Sequence, residues 1–212
     1  MRKMRRVDKE SRDHGRYRKI MDTVLVGWLS LVDADGYPRA IPVNFALYDE
    51  KIYFHGARTG EKFDLLEAGP KATFAAAIEH AVLPSYWSDP EDGCGTTQLY
   101  ESALAYGRGA IVKETKEKAA ALEALMRKYQ PEGRYRSFAG NEEHYAEALR
   151  RTALFRIEVQ RWSLKLNLGR QLSEDERSSL ISHLEERNDP GDAATIAAIK
   201  SAGPETFQQS DA

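Results

Sequence analysis

The sequence predicts an α+β chain made mainly of strands, a small β-barrel with helices inserted between its strands. Three observations predict it. Segments rich in β-branched and aromatic residues recur between short turn signals such as Asp33-Ala34-Asp35-Gly36. Pro38 and Pro42 keep the stretch from Tyr37 to Tyr48 extended rather than helical. Helical spacing of apolar residues is confined to a few bounded stretches.

Taken in order, residues 17–26 predict a short helix running into a strand, and Gly27 to Val32 is a compact apolar run. With Tyr37–Tyr48 and Ile52-Tyr53-Phe54 it predicts an antiparallel meander of three strands on tight connections, the second at Asp49-Glu50-Lys51. A helix follows, with Thr59 as N-cap, Phe63, Leu65 and Leu66 as its apolar face and Gly69-Pro70 as its stop. Residues 72–79 are a fourth strand, 80–98 a long loop carrying Pro84, Tyr86, Trp87 and Pro90, and 99–113 strand again. Ala119, Leu122, Leu125, Met126 and Tyr129 recur at helical spacing after Thr115, and Gln130-Pro131 ends that helix. Asn141 is expected to cap a helix through Arg150, and residues 152–168 return to strand alternation. Ser173-Glu174-Asp175-Glu176 is a capping box opening a helix to Arg187, and a last helix runs from Asp192 to Lys200.

The 212 residues are read as a single domain: a basic leader over 1–20, a core over 21–170, helices over 171–201 and a polar, disordered tail over 202–212. The leader holds nine Lys/Arg against three acids in a chain of net charge -2. It has no apolar stretch behind it, so it is not a signal peptide. Packing on an acidic body or on a partner subunit is favoured over nucleic-acid binding, because acids interrupt the run and no reading helix follows. No apolar run approaches the roughly 18 residues of a membrane span. The one cysteine, Cys94, excludes an intramolecular disulfide and fits a reducing, cytoplasmic compartment.

Common catalytic signatures are missing: no GxSxG, P-loop, GxGxxG, HExxH or CxxC occurs. The five histidines (His14, His55, His80, His144, His183) do not fall at metal-ligand spacing, so no metal is expected. The informative stretch is 52–62. There a strand ends in the small-residue corner His55-Gly56-Ala57, and a helix starts at Thr59-Gly60 with Lys62 in its first turn and Arg58 beside it. Small residues let an anion approach the backbone, and two cations and unpaired N–H groups attract it. The same residues also fit an ordinary strand-turn-helix with exposed cations.

The run from Val26 to Gly109 resembles the FMN-binding split-barrel families, the pyridoxamine 5'-phosphate oxidase-related proteins, and within them the nitroimidazole-resistance type. The matching pieces are Gly27-Trp28-Leu29-Ser30, the run Asp35 to Phe45, Ile52 to Ala57, Gly60-Glu61-Lys62, Pro70 to Phe74, Tyr100-Glu101-Ser102 and Tyr106 to Ala110. The C-terminal Lys165, Asn167 and Glu176-Arg177 partly resemble another FMN-binding split-barrel group, named for negative transcriptional regulation. An Arg-x-His motif of pyridoxamine oxidation is absent near the C-terminus.

The resemblance implies an FMN-binding split β-barrel with peripheral helices. It implies a homodimer with shared flavin sites and an FMN-dependent oxidoreductase acting on a small organic molecule. It places Arg39, Ile41, Pro42, Val43 and Asn44 along the isoalloxazine edge. His55, Gly56, Ala57, Arg58, Gly60 and Lys62 then lie around the ribityl phosphate, and Glu101 and Ser102 come from the partner subunit. Trp162 is either a flavin wall or core, and His55 is either a flavin neighbour and the candidate catalytic residue or a satisfied rim histidine. Three alternatives stand beside this: a regulatory protein that holds FMN without turnover, a deazaflavin cofactor, and haem.

Overall fold

A computed structural model describes residues 6–203; the leader cations Arg2, Lys3 and Arg5 and tail residues 204–212 lie outside the described residues. The chain divides into two compact units. One, the barrel unit, comprises His14–Ala76 and Ala103–Ser163. The other, the helical unit, holds Ala77–Ser102 and, among the described residues, those up to Asp13 and from Leu164 on.

The elements are β1 (Glu10–Ser11), α1 (His14–Thr23), β2 (Val26–Val32), β3 (Pro38–Asn44), β4 (Ala46–Tyr48), β5 (Lys51–Gly56), α2 (Glu61–Glu67), β6 (Lys71–Leu83), β7 (Thr97–Ile111), α3 (Thr115–Tyr129), α4 (Ala146–Arg151), β8 (Ala153–Asn167), α5 (Glu174–Arg187) and α6 (Asp192–Ala202). β6, β7 and β8 have residues in both units.

The strand order is β3-β2-β6-β7-β8-β5-β4, with β1 paired to β8. β2 and β3 form a hairpin in the register Trp28↔Pro42 and Leu29↔Ile41. The Asp33 carboxylate closes its turn by accepting from the Asp35 (3.1 Å) and Tyr37 (2.8 Å) N–H groups. β4 and β5 form a second hairpin, Ala46↔Tyr53 to Tyr48↔Lys51. Asp49 and Glu50 both sit at positive φ (48° and 56°), as a two-residue turn matched to strand twist requires. The expected three-strand meander is therefore corrected to two hairpins at opposite ends of the order. β3 and β4 are its two terminal strands, and Phe45 alone separates them. In the barrel unit the sheet must curl until its edges meet there.

Tyr129 at the end of α3 holds the junction. Its hydroxyl accepts from the Phe45 N–H (2.9 Å) and donates to the Leu25 carbonyl. α3 packs beside β4 and β5 with Ala121 and Leu125 buried among Ala46, Tyr53 and Leu154. α3 starts at Thr115 as expected, and Glu114 caps it by accepting from the Lys116 (2.9 Å) and Glu117 (2.5 Å) N–H groups. The helix expected from Asn141 begins only at Ala146, because Asn141 opens a turn and its carbonyl accepts from the Tyr145 N–H (3.3 Å).

In the helical unit, the predicted Ser173–Glu176 capping box is present and α5 runs to Arg187 as expected. Leu180 and Leu184 of α5 and Ala198 and Ile199 of α6 pack with Leu99, Leu166 and Leu168. The loop of 80–98 is shorter than expected, since β6 continues to Leu83 and β7 begins at Thr97. No described helix is long and apolar enough to cross a membrane.

Candidate flavin site

The corner between β5 and α2 gathers most of the predicted phosphate residues. β5 is locked to β8 by the register His55↔Leu154 and Gly56↔Ala153. The chain then leaves the sheet and turns at Gly60, whose φ of 98° is open to glycine but strained for other residues. Gly60, not Thr59, is the N-cap of α2, and no side chain caps the helix. That places Lys62 in the first turn, as predicted.

Lys62 folds back over the corner. Its Nζ lies 5.9 Å from the Phe54 ring centroid and 5.6 Å from that of Phe155. A Cβ on Gly56 would come within 2.8 Å of the same nitrogen, so the ammonium occupies the space glycine leaves. Lys62 is half-buried, and burial holds its pKa below the usual lysine range. Among the described residues it has no carboxylate partner. His55 keeps an exposed edge, and its pKa is pushed below the usual histidine value by desolvation first and by the Lys62 charge second. The imidazole beside Lys62 is therefore neutral at pH 7. A bare, half-desolvated ammonium beside a neutral imidazole and an uncrowded backbone corner suits an anion with several acceptor oxygens. The phosphate of a flavin mononucleotide fits this donor set.

Arg58 is directed elsewhere. Its guanidinium donates to the Arg150 carbonyl (2.6 Å) at the end of α4 and lines a cavity of about 680 Å³ with Phe63 and Lys118. Ala57 is exposed at the corner. Arg39 on β3 reaches the same helix start by an exposed ion pair to Glu61 (2.8 Å). Along β3, Val43 is buried, Ile41 half-buried and Pro42 exposed, and β3 is a terminal strand of the order. The Asn44 amide donates to the Leu25 carbonyl (3.2 Å).

Trp162 lies in the barrel unit with its ring stacked on Tyr17 (4.9 Å, 18°) and near His14 (5.8 Å). Trp162 is half-buried there, packed on α1. Glu101 and Ser102 belong to the helical unit. Glu101 is buried and its carboxylate meets His80 Nε2 at 3.0 Å. His80 was not foreseen as its partner, because no spacing rule links a residue on β6 to one on β7. The Phe155 ring beneath Lys62 comes from β8 and was missed for the same reason; Phe54, the other ring, lies in the 52–62 stretch itself.

The sequence's leader also finds partners. Arg6 pairs with Asp8, Lys9 bonds Asn167, and Arg18 pairs with Glu50, which His14 Nε2 also meets at 3.0 Å.

This strand order, joined edge to edge at Phe45, is that of a split barrel. The chain belongs to the pyridoxamine 5'-phosphate oxidase family, whose model matches residues 13–166. In fold it is similar to a putative 5-nitroimidazole antibiotic resistance protein from Bacteroides thetaiotaomicron, at 20% identity and a TM-score of 0.60 over 74% of this chain and 85% of that one. It is similar to the FAD and haem binding protein of Mycobacterium smegmatis, at 23% identity and TM-score 0.60 over 75% and 73%. It is also similar to a flavocytochrome from Azotobacter vinelandii, at 18% identity and TM-score 0.61 over 77% and 72%. No curated protein matches the chain.

Proposed function

We propose that the chain binds FMN and serves as an FMN-dependent oxidoreductase for a small organic molecule, in a homodimer whose second copy completes each site. The observation that carries this reading is the Lys62 ammonium, half-buried against Gly56 with no carboxylate partner among the described residues. A phosphate dianion there satisfies the open N–H groups and offsets the desolvation that lowers the Lys62 pKa. The flavin, once bound, supplies the electron transfer. The chain's own residues bind and orient it. Lys62 and the 55–57 corner take the phosphate, and the backbone of Ile41 to Asn44 on the terminal strand offers donors and acceptors to the ring edge. His55, held below the usual histidine pKa at the same corner, is the candidate catalytic residue and would act there as a proton acceptor.

The dimer rests on the outer face of the β2–β3 hairpin. Val26 (49% exposed), Trp28 (51%) and Val32 (60%) alternate along β2. Opposite them on β3 stand Asn44, Pro42 and Pro38. A row of exposed apolar side chains on paired strands marks an association surface. The flavin-binding neighbours from Mycobacterium smegmatis and Azotobacter vinelandii support a flavin of some kind, and their descriptions bring FAD and haem into the test.

Purified protein is expected to take up FMN with flavin absorption bands, to release FMN on denaturation, and to sediment as a dimer. A Soret band, released FAD, or failure to take up added FMN overturns the cofactor assignment. Anaerobic reduction by NADH or NADPH, followed by reoxidation with small organic acceptors, tests turnover. A bound flavin that neither donor reduces points to the non-catalytic reading. Trp28→Glu is expected to give monomers with weakened FMN binding.

A further inference from the structure

The helical unit carries a second cavity, of about 390 Å³, built from residues that the flavin reading does not use. Its floor is apolar: Leu83, Leu99, Leu172 and Leu180 all line it, and Leu99 and Leu180 belong to the unit's core. Its wall is the indole of Trp87, which is held rigidly. His183 stacks on that ring at 4.9 Å and 13°, and the Arg187 guanidinium lies 4.9 Å from its centroid. Arg187 is itself fixed by two bonds to Asp192 (3.0 and 2.6 Å) and one to the Val82 carbonyl (2.8 Å).

Lys9, from the leader, also lines the cavity. Its Nζ donates to the Asn167 side-chain oxygen, and Asn167 is oriented by donating its amide to the Gln98 carbonyl (2.6 Å). One amide leaves two of the three ammonium N–H groups for other partners. Of the two acids that flank it in sequence, Asp8 is taken by Arg6. Lys9 is pulled below the usual lysine pKa by burial, then by the charges of Arg6 and Lys165, with the Asp8 charge opposing. Glu176 lines the cavity too, but its carboxylate is engaged in the α5 capping box, accepting from the Ser173 N–H and hydroxyl at 2.8 Å each.

We propose that this cavity is a binding site for a small organic monocarboxylate with an apolar body, its carboxylate on Lys9 and its body on the leucine floor against Trp87. The volume lies in the range of small-molecule sites, and a leucine floor facing polar groups at the rim can hold an amphipathic ligand. A single ammonium gives the lining one fixed positive charge, the match for a monocarboxylate rather than a dianion. The site would also give the basic leader a role in ligand recognition.

The test titrates octanoate, octanol and inorganic phosphate into the full chain by calorimetry, with and without saturating FMN. Octanoate is expected to bind, more tightly than octanol, and phosphate not to compete. Lys9→Gln is expected to weaken octanoate by about tenfold, leaving octanol and the melting temperature unchanged. Ser179→Trp, on the exposed lining, is expected to block octanoate with the fold intact. No octanoate binding, equal affinity for octanoate and octanol, unchanged affinity in Lys9→Gln or Ser179→Trp, competition by phosphate, or displacement of octanoate by FMN overturns the proposal. Because FMN uptake is measured in the same protein, failure here is separate from failure of the flavin reading.

Discussion

The β5–α2 corner and the seam between α3 and α1 each hold a half-buried lysine over aromatic rings, yet they use it differently. At the seam, Lys128 Nζ sits 3.6 Å from the Phe45 ring centroid and donates to the Met21 carbonyl (2.6 Å). Met21 lies in the last turn of α1, where carbonyls lack intrahelical partners, so Lys128 ties α3 to a helix C-terminus. At the corner, Lys62 has the rings and nothing else among the described residues. Burial lowers both pKa values, that of Lys128 to about 8. The difference lies in whether the backbone satisfies the cation. A buried lysine with a carbonyl partner is a structural tie, whereas one left open is suited to a ligand.

The comparison can be broken at either end. The largest effect is expected from Lys62→Ala, which should weaken FMN binding by about 1.5–3 kcal/mol, the worth of a hydrogen bond to a charged group, with little change in melting temperature. Fluorescence titration of FMN checks it, and unchanged affinity would remove the phosphate from this corner. Gly56→Ala should come next. The new methyl crowds only the flexible end of Lys62 and meets Phe155 at an ordinary 3.5 Å, so the fold should hold while the displaced ammonium costs several-fold in FMN affinity. A melting temperature that falls as steeply as affinity would make Lys62 a second structural tie.

The smallest effect belongs to Lys128→Met, read as stability against pH. Desolvation lowers the Lys128 pKa to about 8 and the Asp22 charge only partly opposes it, against an ordinary value of 10.5. The unfolded chain therefore holds more protons at this group between those limits. Its contribution is full above 10.5 and is lost as pH falls through about 8. The melting temperature of the unsubstituted protein should gain on that of Lys128→Met between pH 8 and 10.5, measured by circular dichroism. A constant gap would show that Lys128 is not desolvated.

What could be read without coordinates was local. The Asp33–Gly36 turn, the α3 stripe, the Ser173–Glu176 box and Lys62 in the first turn of α2 each depend on residues within a few positions of one another. Thr59 was misplaced as a cap by one residue, because a side-chain cap and a glycine at positive φ compete for the same role and the turn into α2 needed the glycine. Strand order was beyond reach for a different reason. An unbroken extended pattern from Tyr37 to Tyr48 gives no sign that Phe45 transfers the chain from one sheet edge to the other. That transfer is fixed by Tyr129, far along the chain, and by the pairing of β5 with β8. The candidate site divides in the same way. Its phosphate corner, with the Phe54 ring, lies within one stretch of sequence, whereas the Phe155 ring beneath Lys62 and the His80 partner of Glu101 arrive from other strands.

The junction at Phe45 also sets where this chain tolerates insertion. Residues added at Ala34-Asp35 would lengthen a solvent-facing hairpin turn and leave the strand register unchanged. One residue added between Asn44 and Ala46 would slip β4 against β5 and exchange its inward and outward side chains, Ala46 first, in a structure with no slack at the join. Length variation and grafted peptides belong at the first position, and the single residue at the second acts as a ruler for the circumference of the barrel.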